Sequence, residues 1–190
     1  QDYELGDILS QLVISRNYDI SEIYGINNNQ KLTNIFKDDN DYQKASNILL
    51  DSIKKNENIC ILGDYDVDGA CATSLLVRYF NHINQKYFFY IPNRTEDGYG
   101  ASKKLFQKLI LKNPKLVIMV DCGSNSIDAV NFLRQNNIKS IIIDHHEINR
   151  PYPKTDALIN PKKKYFKKRA CHIMCNYFNL FSFKYFNKKR

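Results

Sequence analysis

The sequence predicts an α/β domain of the Rossmann-like type, with a mostly parallel sheet and helices on both of its faces. Short runs of wholly apolar residues recur along the chain, and segments with helical periodicity separate them. Strands of a parallel sheet are buried on both faces, so they are apolar throughout instead of alternating with polar residues. Acidic residues follow several of these runs directly, at the positions where a parallel sheet binds its ligands.

A short helical lead-in is expected before this domain. Residues 4–15 and 41–55 carry apolar side chains at helical spacing, and a polar, asparagine-rich stretch separates them. We therefore predict a lead-in over residues 1–44 and an α/β core over 45–161. Residues 162–190 form an aromatic and basic tail without a clear period, for which no structure is predicted.

Strands and helices are predicted to alternate within the core. The predicted strands are Asn58–Leu62, Lys86–Ile91, Leu116–Val120, Ser140–Ile143 and Ala157–Ile159. The predicted helices are Ala70–Phe80, Ser102–Leu111 and Ile127–Gln135. Ser102 is suited to cap its helix, because its hydroxyl can accept a backbone N–H of the first turn. Strands that are separated by helices of about ten residues indicate parallel pairing.

The net charge of +8 comes wholly from the tail. Residues 162–190 hold ten of the 28 basic residues and none of the 20 acidic ones, which leaves 18 against 20, or −2, for residues 1–161. The tail could bind phosphate groups of a nucleic acid, but runs of like charge are more often simply solvated. Charge alone therefore does not identify a nucleic-acid-binding protein.

Composition also bears on where the protein works. The apolar runs are far shorter than the roughly 20 residues that a membrane-spanning helix requires. The five cysteines are odd in number and irregularly spaced, which argues against a disulfide framework and suits a reducing compartment. We expect a cytoplasmic protein without a membrane partner.

Acidic and imidazole side chains follow three of the predicted strands. They are Asp64, Asp66 and Asp68 after the first strand, Asp121 after the third, and Asp144, His145 and His146 after the fourth. Parallel strands end at a common edge of the sheet, so these side chains should lie close together. Crowded carboxylates raise each other's pKa values, and divalent cations remove that penalty.

This set of ligands suits Mn²⁺ or Mg²⁺, which prefer oxygen ligands and accept imidazole. Two such ions, ~3.5–4 Å apart, can clamp both the attacking and the leaving oxygen of an in-line displacement at phosphorus. The pattern therefore predicts phosphoester hydrolysis. Each cluster has a simpler explanation when taken alone, because acids and glycines commonly form turns after strands.

The three clusters resemble, in order and spacing, the first three motifs of the DHH phosphoesterases. The matching segments are Leu62–Gly69, Asp121-x-Gly123 and Asp144–His146. Two further elements resemble the RecJ branch of that family, namely Ile91–Arg94 with Gly98–Gly100, and Ile159–Pro161. The resemblance covers roughly residues 45–161. It implies a 5′→3′ exonuclease that acts on single-stranded DNA in recombination and repair with Mn²⁺ or Mg²⁺.

The resemblance also implies roles for individual residues. Asp66, Asp68, Asp121 and His145 would be metal ligands, with Asp64 beside them. Asp144 would orient the imidazole of His145, and His146 would contact the scissile phosphate. Arg94, Gly98, Tyr99 and Gly100 would contact the substrate, with Arg94 binding a phosphate and the two glycines allowing close backbone approach.

The chain departs from the family pattern after its last predicted strand. The family has a fourth motif with another metal-binding aspartate, and a second domain, but no acidic residue follows Asp156 here. We therefore expect an incomplete core with weak or absent activity by itself, and a separate polypeptide could supply the missing half. The alternative is a catalytically inactive remnant that binds metal or nucleic acid.

Two other enzymatic interpretations compete with an exonuclease. Other DHH enzymes hydrolyse pyrophosphate, cyclic dinucleotides or short oligonucleotides, and the Gly98–Gly100 element argues against them. Haloacid-dehalogenase phosphatases also place Asp-x-Asp-Gly after a first strand, but they use an aspartate nucleophile. The adjacent His145 and His146 argue against that class.

Overall fold

The computed structural model describes residues 6–15, 40–98 and 100–163. Tyr99 and the tail from residue 164 onward lie outside the described residues, as does most of the predicted lead-in. The domain boundaries that we propose from the sequence stay a prediction.

The chain divides into two compact units, Gln1–Asn34 and Ile35–Arg190. The described part of the first unit is α1 (Asp7–Ser15), whose side chains Ile8 and Ile14 are exposed. No described helix has both the length and the hydrophobicity that crossing a membrane requires.

The second unit contains a five-stranded sheet. Its described elements are α2 (Asn40–Lys54), β1 (Ile59–Gly63), α3 (Val67–His82), β2 (Tyr87–Tyr90), α4 (Lys103–Leu109), a 3-10 turn (Ile110–Lys112), β3 (Leu116–Val120), α5 (Ile127–Gln135), β4 (Lys139–Ile143) and β5 (Ala157–Ile159). The strand order is β2-β1-β3-β4-β5, and every neighbouring pair is parallel. The predicted α/β fold is confirmed.

Alternate residues of each strand pack into two separate cores, because successive side chains of a strand point to opposite faces. On one face, β1 and β3 contribute Ile59, Ile61 and Ile118 to a core that is closed by α2 and α3. On the other face, Cys60 and Met119 pack against α4 and α5. Helices therefore cover both faces, which explains why the strands are apolar throughout.

The helix α3 begins three residues earlier than the apolar spacing predicts. Asp66 has an extended backbone and its carboxylate accepts the backbone N–H of Gly69 at 3.0 Å, which makes it the N-cap. The first turn, Val67 to Gly69, thus belongs to the helix although Val67 and Asp68 are exposed. A capping interaction, and not hydrophobic periodicity, sets this boundary.

The order of the strands fixes where a ligand site can form. The chain leaves β1 toward β2 on one side and later continues from β3 to β4 and β5 on the other. The loops after β1 and β3 consequently diverge and leave a crevice between them at the carboxyl edge of the sheet. These two loops carry Asp64, Asp66 and Asp121.

Candidate metal centre

Three carboxylates meet at this crevice. Asp64 directly follows β1, Asp66 caps α3, and Asp121 directly follows β3. One carboxylate oxygen of each lies within 4.8 Å of the other two. Asp64 and Asp121 are buried, with 2% and 0% of their surface exposed, whereas Asp66 faces solvent.

Asp121 has a high affinity for protons in this setting. Its burial, a hydrogen bond with Asp66 and the negative charge of Asp66 together raise the pKa of Asp121 to about 7. The pKa of Asp66 is lowered, chiefly by the backbone N–H of Gly69 and also by the contact with Asp121. Either a shared proton or a cation must hold these two carboxylates together.

Two imidazoles complete the cluster on the other side of Asp121. Nε2 of His145 lies 3.0 Å from Oδ1 of Asp121. Ligand atoms of Asp121, His145 and His146 all lie within 4.8 Å of one another, and the two imidazole rings pack edge to face at 4.8 Å. Asp121 thus belongs to two groups of three side chains, one made of carboxylates and one containing both histidines.

The backbone of Asp121 is unusual for a residue that carries a side chain. Its φ of 62° lies in the left-handed region, which aspartate and asparagine tolerate better than other residues with a Cβ. Its N–H donates to the carbonyl of Ile143 at 2.9 Å, which extends the pairing of β3 with β4 by one residue. Such outliers cluster at functional sites, and here the outlier aims the carboxylate at the crevice.

Asp144 holds the loop that carries the two histidines. Oδ1 accepts the backbone N–H of His145 at 2.7 Å and that of His146 at 3.1 Å, and Oδ2 accepts the N–H of Ser124 at 3.0 Å. Burial alone would raise the pKa of Asp144, but the hydrogen bonds from His146 and Ser124 outweigh burial and lower it. The residue therefore remains an anion at neutral pH.

The ring that Asp144 contacts is not the expected one. Nδ1 of His146 lies 2.8 Å from Oδ1 of Asp144, whereas the ring of His145 points to Asp121. The structure therefore differs from the expectation that Asp144 orients His145. The reason is local, since the turn after β4 brings the second imidazole, and not the first, back over the carboxylate.

The donors of the cluster suit a hard divalent cation. Carboxylate oxygens and imidazole nitrogens converge here, and the described residues of the two groups contribute no thiolate. A cation placed among these atoms would replace the shared proton between Asp66 and Asp121 and remove the repulsion that raises the pKa of Asp121. The arrangement fits Mn²⁺ or Mg²⁺ by its chemistry.

The remaining predicted residues are distributed around this cluster. Asp68 lies exposed in the first turn of α3 and belongs to neither group of candidate ligands. Arg94 places its guanidinium carbon 5.6 Å from the centre of the Tyr65 ring, beside the loop that carries the carboxylates. The sequence did not indicate Tyr65 as a partner of Arg94.

Asp97 organises the loop that carries Arg94. Its carboxylate accepts the hydroxyl of Tyr90 at 2.6 Å, the amine of Lys108 at 3.1 Å and the backbone N–H of Asn93 at 3.2 Å. These contacts, above all that with Tyr90, hold the pKa of Asp97 below its usual range. The loop is thereby tied both to β2 and to α4.

The two glycines of this segment are required by backbone conformation. Gly98 and Gly100 have φ of 80° and 65°, in the left-handed region where a Cβ is disfavoured. A Cβ at Gly98 would meet no atom within 4 Å, and one at Gly100 would meet only Cys122, at 3.9 Å. Within the part of the chain that the structure describes, these glycines are therefore explained by their backbone conformation and not by close approach of another protein group.

A cavity of about 240 Å³ opens beside the histidines. It is lined by Gly100, by the Cys122–Ser126 segment, and by Asp144 and His146. The Cys122–Ser126 segment connects β3 to α5, so the cavity lies on the same edge of the sheet as the candidate ligands. The lining combines small residues with a few polar side chains, among them Ser124, Asp144 and His146.

The fold and the cluster define a class, namely parallel α/β domains with a carboxylate and histidine centre at the carboxyl edge of the sheet. The family described as "DHH family, N-terminal domain" matches residues 58–189, more than half of the chain. The chain therefore belongs to the DHH family.

Curated relatives are single-stranded-DNA-specific exonucleases named RecJ. The protein of Haemophilus influenzae is 36% identical over 120 residues, which cover 63% of this chain and 21% of that protein. The proteins of Escherichia coli and Bacillus subtilis are 34% and 31% identical, over 63% and 64% of this chain and over 21% and 15% of their own lengths. This chain thus matches no more than about a fifth of these relatives.

Solved structures of RecJ share the fold. An exonuclease RecJ bound to manganese matches with a TM-score of 0.70 and 24% identity, over 81% of this chain and 39% of that one. RecJ of Thermus thermophilus in complex with Mn²⁺ matches with a TM-score of 0.68 and 20% identity, over 90% of this chain and 24% of that one. These similarities show the fold.

Proposed function

We propose that this chain forms the metal-binding part of a phosphodiesterase that removes nucleotides from the 5′ end of single-stranded DNA. The observation that carries the proposal is the position of Asp121, whose carboxylate belongs both to the aspartate group and to the histidine group. Similarity to RecJ exonucleases supports single-stranded DNA as the substrate. Recombination and repair are the processes in which such an activity would serve.

Asp64, Asp66, Asp121 and His145 would hold Mn²⁺ or Mg²⁺. These ions supply charge that stabilises the entering and leaving oxygens at phosphorus. We propose Asp68 as a further ligand only after a movement of the first turn of α3, because its carboxylate lies outside both groups.

The other residues act on the substrate. Asp144 keeps the ring of His146 in one orientation, and the pKa of His146 is raised by that carboxylate against the effect of burial. A protonated His146 would donate to a phosphate oxygen, and Arg94 would bind a second phosphate through its planar guanidinium. Gly98, Tyr99 and Gly100 would contact the substrate, and Gly100 lines the cavity.

The substitution Asp66→Asn tests the proposal with little effect on the fold, because asparagine caps helices as well as aspartate does. We expect the full chain with Mn²⁺ to release mononucleotides from single-stranded DNA labelled at its 5′ end. Asp66→Asn should lower that rate at least ~100-fold, since a charged ligand is lost. Asp128→Asn, an exposed change on α5, is the control and should leave the rate unchanged.

Failure of the proposal would have a clear signature. It is rejected if the wild-type chain shows no Mn²⁺-dependent release of nucleotides, or if Asp66→Asn and Asp128→Asn cleave equally well. The expectation that this chain alone has weak or absent activity stays a prediction, and the absolute rate in the same assay measures it. Mn²⁺ binding without any cleavage would favour the alternative of a catalytically inactive remnant. Formation of an aspartyl-phosphate would instead indicate a phosphatase of the haloacid-dehalogenase class.

A further inference from the structure

Asn160 is a buried polar residue just outside the candidate metal centre. It directly follows β5 and only 4% of its surface is exposed. Its Nδ2 donates to Oγ of Ser124 at 2.8 Å and to the backbone carbonyl of His146 at 3.0 Å. Its Oδ1 accepts the backbone N–H of Lys162 at 2.8 Å. Both N–H donors of the amide are therefore used.

The partners of Asn160 lie on both sides of the Asp144–His146 contact. Ser124 donates its backbone N–H to Oδ2 of Asp144, and Oδ1 of the same carboxylate holds Nδ1 of His146. Asn160 is hydrogen-bonded to both the side chain of Ser124 and the backbone of His146. It reaches these groups without itself belonging to either group of candidate ligands.

The side-chain amide of Asn160 thus connects the segments that follow three neighbouring strands, β3, β4 and β5. Ser124 lies in the loop after β3, His146 in the loop after β4, and Asn160 follows β5. The same two loops carry Asp121 and His145, whose Oδ1 and Nε2 atoms are 3.0 Å apart. A shift of the β4 loop relative to the β3 loop would change that distance directly.

We propose that Asn160 is a positioning residue, which holds the His145–His146 segment in register with Asp121 and so sets the geometry of the metal centre. The inference rests on the proposed function. The alternative is that Asn160 only stabilises the fold, as any buried and fully bonded amide does. Groups that orient metal ligands typically change metal affinity or activity by about 10–100-fold when they are lost, and a purely structural group does not.

The decisive variant is Asn160→Asp in the full chain. Aspartate has the same shape and can still accept the N–H of Lys162, but as an anion it cannot donate to Ser124 or to the carbonyl of His146. We expect the dissociation constant for Mn²⁺ to rise and kcat to fall by about 10–100-fold each. KM for a single-stranded oligonucleotide should change less than kcat, because Asn160 itself is not among the residues that line the cavity.

Two further variants provide a second test of the proposal and a control. Ser124→Ala removes one of the two bonds without burying a charge, and it should weaken Mn²⁺ binding in the same direction by a smaller factor. Asn58→Asp is the matched control, because the amide of Asn58 also donates to a backbone carbonyl, that of Lys112, but at the opposite edge of the sheet. It should leave Mn²⁺ binding and kcat unchanged.

The inference is overturned if Asn160→Asp and Ser124→Ala lower only the melting temperature and bind Mn²⁺ like the wild type. If Asn160→Asp does not fold, the Mn²⁺ affinity of Ser124→Ala decides alone. A wild-type chain that binds Mn²⁺ without cleaving DNA would defeat the proposed function but leave the inference to be judged by Mn²⁺ affinity. A wild-type chain that binds no Mn²⁺ defeats both.

Discussion

Asp121 combines a left-handed backbone, complete burial and close contact with a second carboxylate, that of Asp66. Each of these features costs free energy in a protein without a cation. A bound cation would offset the cost of placing the two carboxylates together, which supports the proposed role of Asp121 as a metal ligand. A fold that merely needed to end β3 could do so with glycine, which adopts this backbone without strain.

The pH dependence of stability follows from the pKa of Asp121. An aspartate in the unfolded chain releases its proton near pH 4, whereas folded Asp121 retains it up to about pH 7. Protonated Asp121 therefore makes its full contribution to the free energy of unfolding below about pH 4. This contribution decreases as the pH rises toward 7, and above about pH 7 the free energy of unfolding no longer changes through this group. The melting temperature of the chelator-treated chain should therefore show this loss in the same interval.

The substitution Asp121→Asn isolates this contribution, because asparagine also tolerates the left-handed backbone. We expect the variant to lack the component of the pH dependence between about pH 4 and pH 7, and to bind Mn²⁺ at least ~10-fold more weakly. Asp128→Asn, an exposed aspartate, should keep the wild-type profile. Identical pH profiles for Asp121→Asn and the wild type would contradict the assigned titration.

The sequence predicts which loops lie close together, but not which partner each of two adjacent side chains contacts. Asp64, Asp66 and Asp121 come together because each lies close to the carboxyl end of a strand, and the alternation of strands and helices indicates parallel strands whose ends share one edge. The order β2-β1-β3-β4-β5 is known only from the structure. The partner of Asp144 could not be predicted, since His145 and His146 are adjacent and only the geometry of the turn separates their directions. The functional roles of all these residues stay predictions.

At the scale of elements, the sequence predicts every strand bound to within one residue and the bounds of α3 less closely. Leu116–Val120, Ile127–Gln135 and Ala157–Ile159 have the predicted bounds, because apolar runs and helical spacing coincide with burial there. The start of α3 was missed because the Asp66 cap sets it. The Asn-Pro motif does not predict the hydrogen bonds of Asn160 either, because its partners Ser124 and His146 are distant in sequence.

The first turn of α3 packs unusually closely against the end of β1. A Cβ added at Gly69 would lie 2.5 Å from the carbonyl oxygen of Asp64 and 2.6 Å from its nitrogen. Backbone atoms at these distances cannot yield as a flexible side chain would. The glycine therefore allows the Asp66 cap to sit directly over Asp64.

The substitution Gly69→Ala consequently has two opposing effects on the free energy of unfolding. Alanine favours helix by up to about 1 kcal/mol over glycine, whereas forcing an extra carbon into a packed site costs typically about 1–3 kcal/mol or more. Because the obstacle is backbone, we expect the free energy of unfolding to fall by about 1–2 kcal/mol or more in denaturant titration. Gly6→Ala, whose added Cβ meets nothing within 4 Å, should change it little. Equal or greater stability of Gly69→Ala would show that α3 can shift freely.

At the scale of the whole molecule, positive charge and candidate catalytic groups are separated along the chain. Residues 1–161 carry a net charge of −2, and the ten basic residues of 162–190 account for the excess. The carboxylates of the crevice by themselves repel a phosphate backbone. Attraction of a DNA strand to this chain would then depend on the basic residues of the tail. A binding measurement can test that dependence.

Replacing basic residues of the tail with glutamine tests this dependence in the full chain. The changed positions are Lys167, Lys168, Arg169, Lys184, Lys188, Lys189 and Arg190. For single strands, the slope of log K against log salt concentration changes by about 0.7 for each phosphate that a cation neutralises. Because each basic residue that binds a phosphate contributes to this slope, we expect it to become less steep by roughly 2–4, as measured by fluorescence anisotropy with an oligonucleotide.

Glutamine at Lys54 and Lys55 provides the comparison, because these exposed residues lie at the end of α2. If the tail supplies the phosphate contacts, removing a charge at Lys54 or Lys55 should change the slope less than removing a charge from the tail. An equal effect per charge at both places would mean that binding responds only to net charge. An unchanged slope in the tail variant would assign the contacts to Arg94 and the loops around the crevice.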